Sequence, residues 1–194
     1  MTGSLQLGGV ARGLIYMHDQ GIIHGSLRGV RFRNPLSLSC TQLTSHKANI
    51  LIDHNGHACL TGFSLLTITS DQPTTTPLVV PGDAIQWMSP ELINPGKFNL
   101  RESRPTKKSD CYALGMTIYE VLSGQVPFAP REGTAIIPKI VGGERPGRPQ
   151  GGEGVRFTVG LWRMLEDCWK PHPDDRPSLD IVLRCLQDGG KLPA

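Results

Sequence analysis

His54, His57 and Cys59 fall within six residues, and these are side-chain types that hold zinc or a similar metal. No fourth ligand lies near them in the sequence, so a closed tetrahedral site does not follow. The five cysteines are Cys40, Cys59, Cys111, Cys168 and Cys185. Their number is odd and no two form a Cys-x-x-Cys pair, which argues against a disulfide framework or a zinc ribbon. Inert thiols in a reducing compartment are expected instead. Thr67, Thr69, Ser70, Thr74, Thr75 and Thr76 are hydroxyls in one polar stretch. Phosphate added there would order the chain only beside an arginine cluster, and a solvated loop is the plainer reading. Arg145, Arg148 and Arg156 form a basic run, but Glu144 and Glu153 interleave; the run reads as a solvated face.

The chain has 194 residues and a formal charge of +3. That charge is too small for a nucleic-acid or membrane-surface footprint. With 38% hydrophobic and 19% charged residues, the chain has the composition of a globular protein with a real core. No apolar run approaches the ~20 residues of a membrane span. The start, Met1 to Gln6, lacks the basic and apolar blocks of a signal peptide. An intracellular, cytoplasmic location follows as an expectation. The 23 glycines and 16 prolines require long or numerous loops.

The elements that must position any chemistry can be read from spacing. Val10, Leu14 and Met17, with Ala11, Ile15 and His18, make an apolar stripe that predicts a helix over 6–19, stopped by Gly21. Ile22-Ile23 step into His24-Gly25-Ser26-Leu27. Residues 30–47 have no periodicity. The apolar runs 49–53 and 57–60 flank Asn55-Gly56, a hairpin turn signal. Residues 66–83 read as a long loop, and 88–94 as a short helix. Ser109 is the expected N-cap of a helix ending near Gly124, with Leu114, Ile118, Val121 and Leu122 on its apolar face. Residues 142–156 read as loop, and two helices, about 157–169 and 178–187, close the chain.

The order of short motifs resembles the C-terminal lobe of a eukaryotic protein kinase of the tyrosine-kinase-like group, from about residue 6 to residue 188. Trp87-Met88-Ser89-Pro90-Glu91 is similar to the Ala-Pro-Glu motif. Lys108-Ser109-Asp110-Cys111-Tyr112-Ala113-Leu114-Gly115 is similar to the Asp-x-Trp-x-x-Gly helix start, with Tyr112 in place of Trp. Cys168-Trp169 through Arg176-Pro177 is similar to the closing Cys-Trp…Arg-Pro element. The resemblance implies a mainly α fold with a small β-hairpin. It implies a buried Glu91–Arg176 ion pair, and an Asp110 that accepts hydrogen bonds from the backbone around His24; the other reading of Asp110 is a surface charge at a helix N-terminus. Family activity is ATP- and magnesium-dependent phosphorylation of proteins, so substrate or partner proteins are implied.

The residues expected to carry that chemistry depart from the pattern. Active kinases use His-Arg-Asp-x-x-x-x-Asn and Asp-Phe-Gly. Here His24-Gly25-Ser26 stands for the first motif, so Ser26 replaces the catalytic aspartate and Gly25 the arginine. A neutral hydroxyl is no general base near pH 7. Gly62-Phe63-Ser64 stands for the second, so Gly62 replaces the magnesium-binding aspartate, and Phe63 is left with a packing role. Asn49 is either a metal ligand or merely bonded to the loop backbone. Arg28 holds the place of a phosphate-neutralising lysine and, beside Ser26, reads as an exposed cation. No Gly-x-Gly-x-x-Gly and no Val-Ala-Ile-Lys strand precede the catalytic loop, so the N-terminal lobe is expected to be absent. No cofactor is assigned on these residues; ATP and magnesium belong to the family.

The pattern expects four residues between the catalytic Asp and Asn, whereas 22 separate Ser26 from Asn49. Excising Val30 through Lys47, 18 residues, restores an uninterrupted loop and strand. The excess piece carries Arg31, Arg33 and Lys47 and no acid, so without it the chain is neutral. A Val codon begins with GT and a Lys codon can end with AG, so the piece can be read as a translated, unspliced intron or as a genuine insertion loop. Three functions stay open: a catalytically inactive kinase-like domain serving as an interaction or scaffold module, an active kinase from an incomplete gene model, and a non-functional truncated product. Sequencing the messenger RNA across residues 29–48 separates the readings of the insert. A transcript population with and without the 54 bases supports the intron; one that always contains them removes it.

Overall fold

In this computed structural model, the structure describes residues 2–32, 48–62, 67–68, 84–129, 133–149 and 157–189. The first helix, α1, spans Thr2–Asp19, four residues earlier than the apolar stripe predicts; Gly3, at ~1 kcal/mol, is the only breaker there and does not stop it. Leu7, Val10, Ala11, Leu14 and His18 line its buried face. Strand β1 (Ile22–Ile23) follows, then β2 (Val30–Phe32), β3 (Ile50–Ile52), β4 (Ala58–Leu60) and β5 (Thr67–Ile68). β1 pairs antiparallel with β5, so part of the expected 66–83 loop is strand. β2 lies parallel to β3 in the register Val30↔Ile50, so the piece read as irregular from residue 30 begins as an edge strand.

β3 and β4 form the predicted hairpin, although its turn is built differently from an Asn-Gly pair. Gly56 alone takes a positive φ, +82°. The Asp53 carboxylate accepts the backbone N–H groups of Asn55 at 2.9 Å and His57 at 2.8 Å. Those bonds, the His57 N–H foremost, hold the Asp53 carboxyl below its usual range. An aspartate closing its own turn is a local competitor of the strand ladder.

A 3-10 turn over Ile85–Trp87 leads to α2 (Pro90–Ile93), and a second over Pro95–Phe98 follows it. The predicted 88–94 helix is therefore a single α-turn between two tighter ones. α3 (Lys107–Ser123) is buried along nearly its whole length, as a helix surrounded by others must be. Its N-cap is Thr106, not Ser109. Ser109 sits three residues on and completes a capping box: its N–H donates to Thr106 Oγ1 at 3.1 Å and its hydroxyl accepts the Thr106 N–H at 2.8 Å. A serine can fill the third position of such a box as a glutamate does, and this is why the serine alone was misleading. α4 (Ile137–Gly142) went unpredicted; six residues with a proline and a glycine give no periodicity. Ile140 fixes it against Ile85 and Ile136 in a small separate core. α5 (Val159–Cys168) and α6 (Leu179–Gln187) lie inside the predicted spans.

Close packing of α5 on α3 requires Gly115: a Cβ there would lie 2.8 Å from Trp169 Nε1 and 2.9 Å from Cys168 Cβ. Around this contact Tyr119, Phe157, Trp162 and Trp169 form a ring cluster with centroids 5.6–6.0 Å apart, mostly edge-on as aromatic quadrupoles prefer. Arg145 is not on a solvated face. It is half-buried, stands 5.3 Å over the Tyr112 ring, and donates to the carbonyls of Trp169 and Ile140 at 2.7 and 3.0 Å. Arg148 donates to the Phe157 carbonyl; Arg156 lies outside the described residues. Cys111, Cys168 and Cys185 are buried and Cys59 is exposed; Cys40 is outside the described residues. Contact with Cys111 and burial both push the Cys168 thiol well up.

Arg176 joins α2 to the segment before α6. It is 2% exposed, and each of its five N–H groups has an acceptor. Nη1 and Nη2 each reach one oxygen of Glu91 at 2.7 Å. The others take the carbonyls of Lys108 at 3.0 Å, Pro171 at 3.1 Å and Lys170 at 2.9 Å. Such a buried pair contributes little net stability, but removing one partner costs about 3–5 kcal/mol.

Glu120 on α3 is 4% exposed and accepts the Trp87 indole N–H at 3.0 Å. Burial outweighs the Trp87 and Gly29 N–H bonds and pushes its carboxyl up to about 7. In the unfolded chain the proton leaves first, so the fold is best favoured by this group below about pH 4.5 and loses up to about 3 kcal/mol as pH rises through 7. Chemical denaturation of wild type and Glu120→Gln from pH 4.5 to 8 is expected to show the variant gaining relative stability by about that amount as pH rises; a difference that stays flat with pH contradicts the assignment.

Candidate functional site

The site is built around Asp110, in the first turns of α3 and 1% exposed. Its Oδ2 accepts the His24 N–H at 2.9 Å and meets His18 Nε2 at 2.8 Å, and its Oδ1 accepts the Gly25 N–H at 2.9 Å. The carboxylate therefore faces the loop backbone and not solvent. It fixes where residues 24–26 leave β1.

His24 is fully buried. Its Nδ1 accepts the Ser26 N–H at 3.3 Å and its Nε2 lies 3.0 Å from the Thr61 carbonyl. Those partners demand a neutral ring protonated on Nε2. Burial lowers its basicity, with the Asp110 charge pulling the other way. Ser26 donates its hydroxyl to the Gly62 carbonyl at 2.9 Å. Asn49, 8% exposed, spends its amide on the same loop: Nδ2 donates to the Ser26 carbonyl at 2.7 Å and to Ser26 Oγ at 3.3 Å. The Thr61 N–H and the Asn49 carbonyl, 2.9 Å apart, stitch the hairpin to this cluster. Ser26, Asn49 and Gly62 thus come together, with His24 and Asp110 behind them.

Gly62 decides what the cluster can hold. It takes φ +75°, and a Cβ on it would lie 2.1 Å from Asn49 Oδ1 and 2.2 Å from its Cγ. The space in which a side chain at 62 would begin is filled by the Asn49 amide. Ser26 supplies a neutral hydroxyl and Gly62 supplies no ligand. A magnesium site needs near-octahedral oxygens including carboxylate, and the residues present do not fit one. Asn49 bonds to the loop backbone in this arrangement. Arg28 is half-buried, with Nε and Nη1 shielded from solvent, which corrects its reading as an exposed cation. Phe63 and Ser64 lie outside the described residues, as do the hydroxyls of 69–76. His57 turns toward Asp53 at 3.3 Å, and among the described residues no three His, Cys, Asp or Glu side chains gather as metal ligands.

Reading the sequence missed two members of the site. His18 was counted in the buried stripe of α1, and its polarity on that face was the available signal. Thr61 contributes only backbone groups, its carbonyl and its N–H, for which no residue type signals.

Residues 44–186 match the family described as protein tyrosine and serine/threonine kinase, and the chain belongs to that family. It is 26% identical over 186 residues to a light-sensor protein kinase of Ceratodon purpureus, covering 91% of this chain and 13% of that one. It is 30% identical over 185 residues to a probable serine/threonine-protein kinase of Dictyostelium discoideum, covering 92% and 16%. With receptor-interacting serine/threonine-protein kinase 3 of Homo sapiens it is 27% identical over 180 residues, covering 90% and 30%. The chain spans less than a third of the length of these curated relatives. Among the described residues no helix is long and apolar enough to cross a membrane.

The Asn49–Gly62 contact has a measurable consequence. Gly62→Ala is expected to destabilise the fold by about 2–4 kcal/mol, from overpacking and a strained φ. In the Asn49→Gly background the same substitution should cost at least ~1 kcal/mol less. Urea denaturation of the four members of the cycle reads the coupling, and strictly additive losses contradict the packing described.

Proposed function

We propose that this chain is a protein-kinase-like domain that does not transfer phosphate and acts through protein–protein contact, as an interaction or scaffold module. The observation that carries the reading is the Asn49 amide standing 2.1 Å from the position of a Gly62 Cβ. The residues at the places of the two catalytic aspartates are Ser26 and Gly62, and the hydrogen bonds of Ser26 and Asn49 are turned inward onto the loop. Removing a general base alone typically costs ~10²–10⁴-fold, and phosphoryl transfer depends further on positioned magnesium. The names of the three relatives given above, each a protein kinase, support the kinase-like class and suggest proteins as partners.

The test is a phosphotransfer assay with ATP, Mg²⁺ and a general protein substrate, run on the 194-residue chain and on the full product of its transcript. The expected turnover is at least ~10²-fold below the ordinary ~1–100 s⁻¹ of kinases. Turnover within that ordinary range, from either form, overturns the proposal in favour of an active kinase.

A further inference from the structure

Ser89 stands where the family motif carries alanine, so the chain has placed a hydroxyl where a methyl would serve. The position is fully buried, at 0% exposure. Ser89 precedes Pro90, the first residue of α2, yet its side chain makes no capping bond. Its Oγ has no hydrogen-bond partner among the described residues. An unpartnered buried hydroxyl costs about 1–3 kcal/mol, and buried polar groups are nearly always paired with protein or ordered water.

Ser89 lines a small cavity of about 20 Å³, together with Gly25, Ser26, Trp87 and Asp110. That volume admits about one water. The other polar side chains on its wall are Ser26 and Ser109, whose hydroxyls already donate to the Gly62 and Thr106 carbonyls, and Asp110. An ionised carboxylate offers about four acceptor directions, of which three are taken, by His18, His24 and Gly25. Two of those three are on Oδ2, so the remaining direction belongs to Oδ1. A buried donor without an acceptor and a buried carboxylate with one acceptor direction left therefore share a cavity of single-water size.

We infer that Ser89 and Asp110 hold one ordered water between them, a water site that ties the chain entering α2 to the residue anchoring the loop at 24–26. The water donates one proton to Asp110 Oδ1 and completes the hydrogen bonding of Ser89 Oγ. Loop, α2 and α3 are then linked by a polar path that an alanine at 89 cannot provide. The site is independent of whether the chain transfers phosphate, because it uses none of the residues at the metal position.

A high-resolution crystal structure of the chain tests it directly. The expected result is a solvent peak within about 3.2 Å of both Ser89 Oγ and Asp110 Oδ1, absent from the same structure of Ser89→Ala. No peak in the wild type, or a peak that persists unchanged in Ser89→Ala, overturns the assignment. Should Ser89→Ala fail to fold, the wild-type density decides alone, supplemented by a water cross-relaxation signal at the Gly25 amide in solution: its presence supports the site and its absence removes it.

Discussion

The Asp110 carboxylate is the interaction on which the rest of the structure depends. Burying a charge is costly unless hydrogen bonds replace its water, and here three N–H groups do so: one from α1 through His18 and two from the backbone at His24 and Gly25. The residue also lies near the N-terminus of α3, where the helix dipole favours negative charge. One side chain thus holds the first helix, the loop and the central helix in register. Because the loop is fixed from behind, the positions of Ser26, Asn49 and Gly62 in front of it follow. Glu91 and Arg176 do a comparable task beside it, where a guanidinium with every N–H occupied, one of them by the Lys108 carbonyl in the first turn of α3, pins α2 to the chain before α6.

In the front of the site, the residue types at positions 26 and 62 are mutually consistent. With glycine at 62 the Asn49 amide can occupy the volume a side chain would need. With serine at 26 a hydroxyl can bond to the Gly62 carbonyl, a contact a carboxylate would repel. Among the described residues, neutral hydrogen bonds then join the loop to the turn after β4. On the proposed reading, this internal bonding orders the region without nucleotide or metal, and a non-catalytic interaction module follows from it.

Much of this was legible in the sequence, and for identifiable reasons. The family motifs carry residues whose jobs are steric or electrostatic: Gly115 because α5 packs too close for a Cβ, and Glu91 with Arg176 because a buried charge needs its partner. The long helices declared themselves by periodicity. What failed were short-range competitions that residue types do not resolve. Ser109 looked like a cap because serine serves equally well three residues further in. Asn55-Gly56 looked like the whole turn, while Asp53 does most of the bonding. Arg145 looked solvated because its stacking on Tyr112 is a long-range contact. Within the site, the residue types Ser26 and Gly62 could be read directly, but the occupation of the Gly62 space by Asn49 required coordinates. So did the role of Thr61, which acts through backbone groups that almost every residue possesses. The edge strand at Val30–Phe32 could not be read from a segment without periodicity.

Residues 24–29 and 49–62 are ordered by their own hydrogen bonds. Amide hydrogen exchange over these residues, in the presence and absence of ATP with Mg²⁺, tests it most directly. Protection at His24, Gly25, Ser26 and Thr61 is expected to be already high and unchanged by the nucleotide. Protection that is weak in the free chain and rises about tenfold or more on adding ATP and Mg²⁺, about 1.4 kcal/mol of added stability, would contradict it.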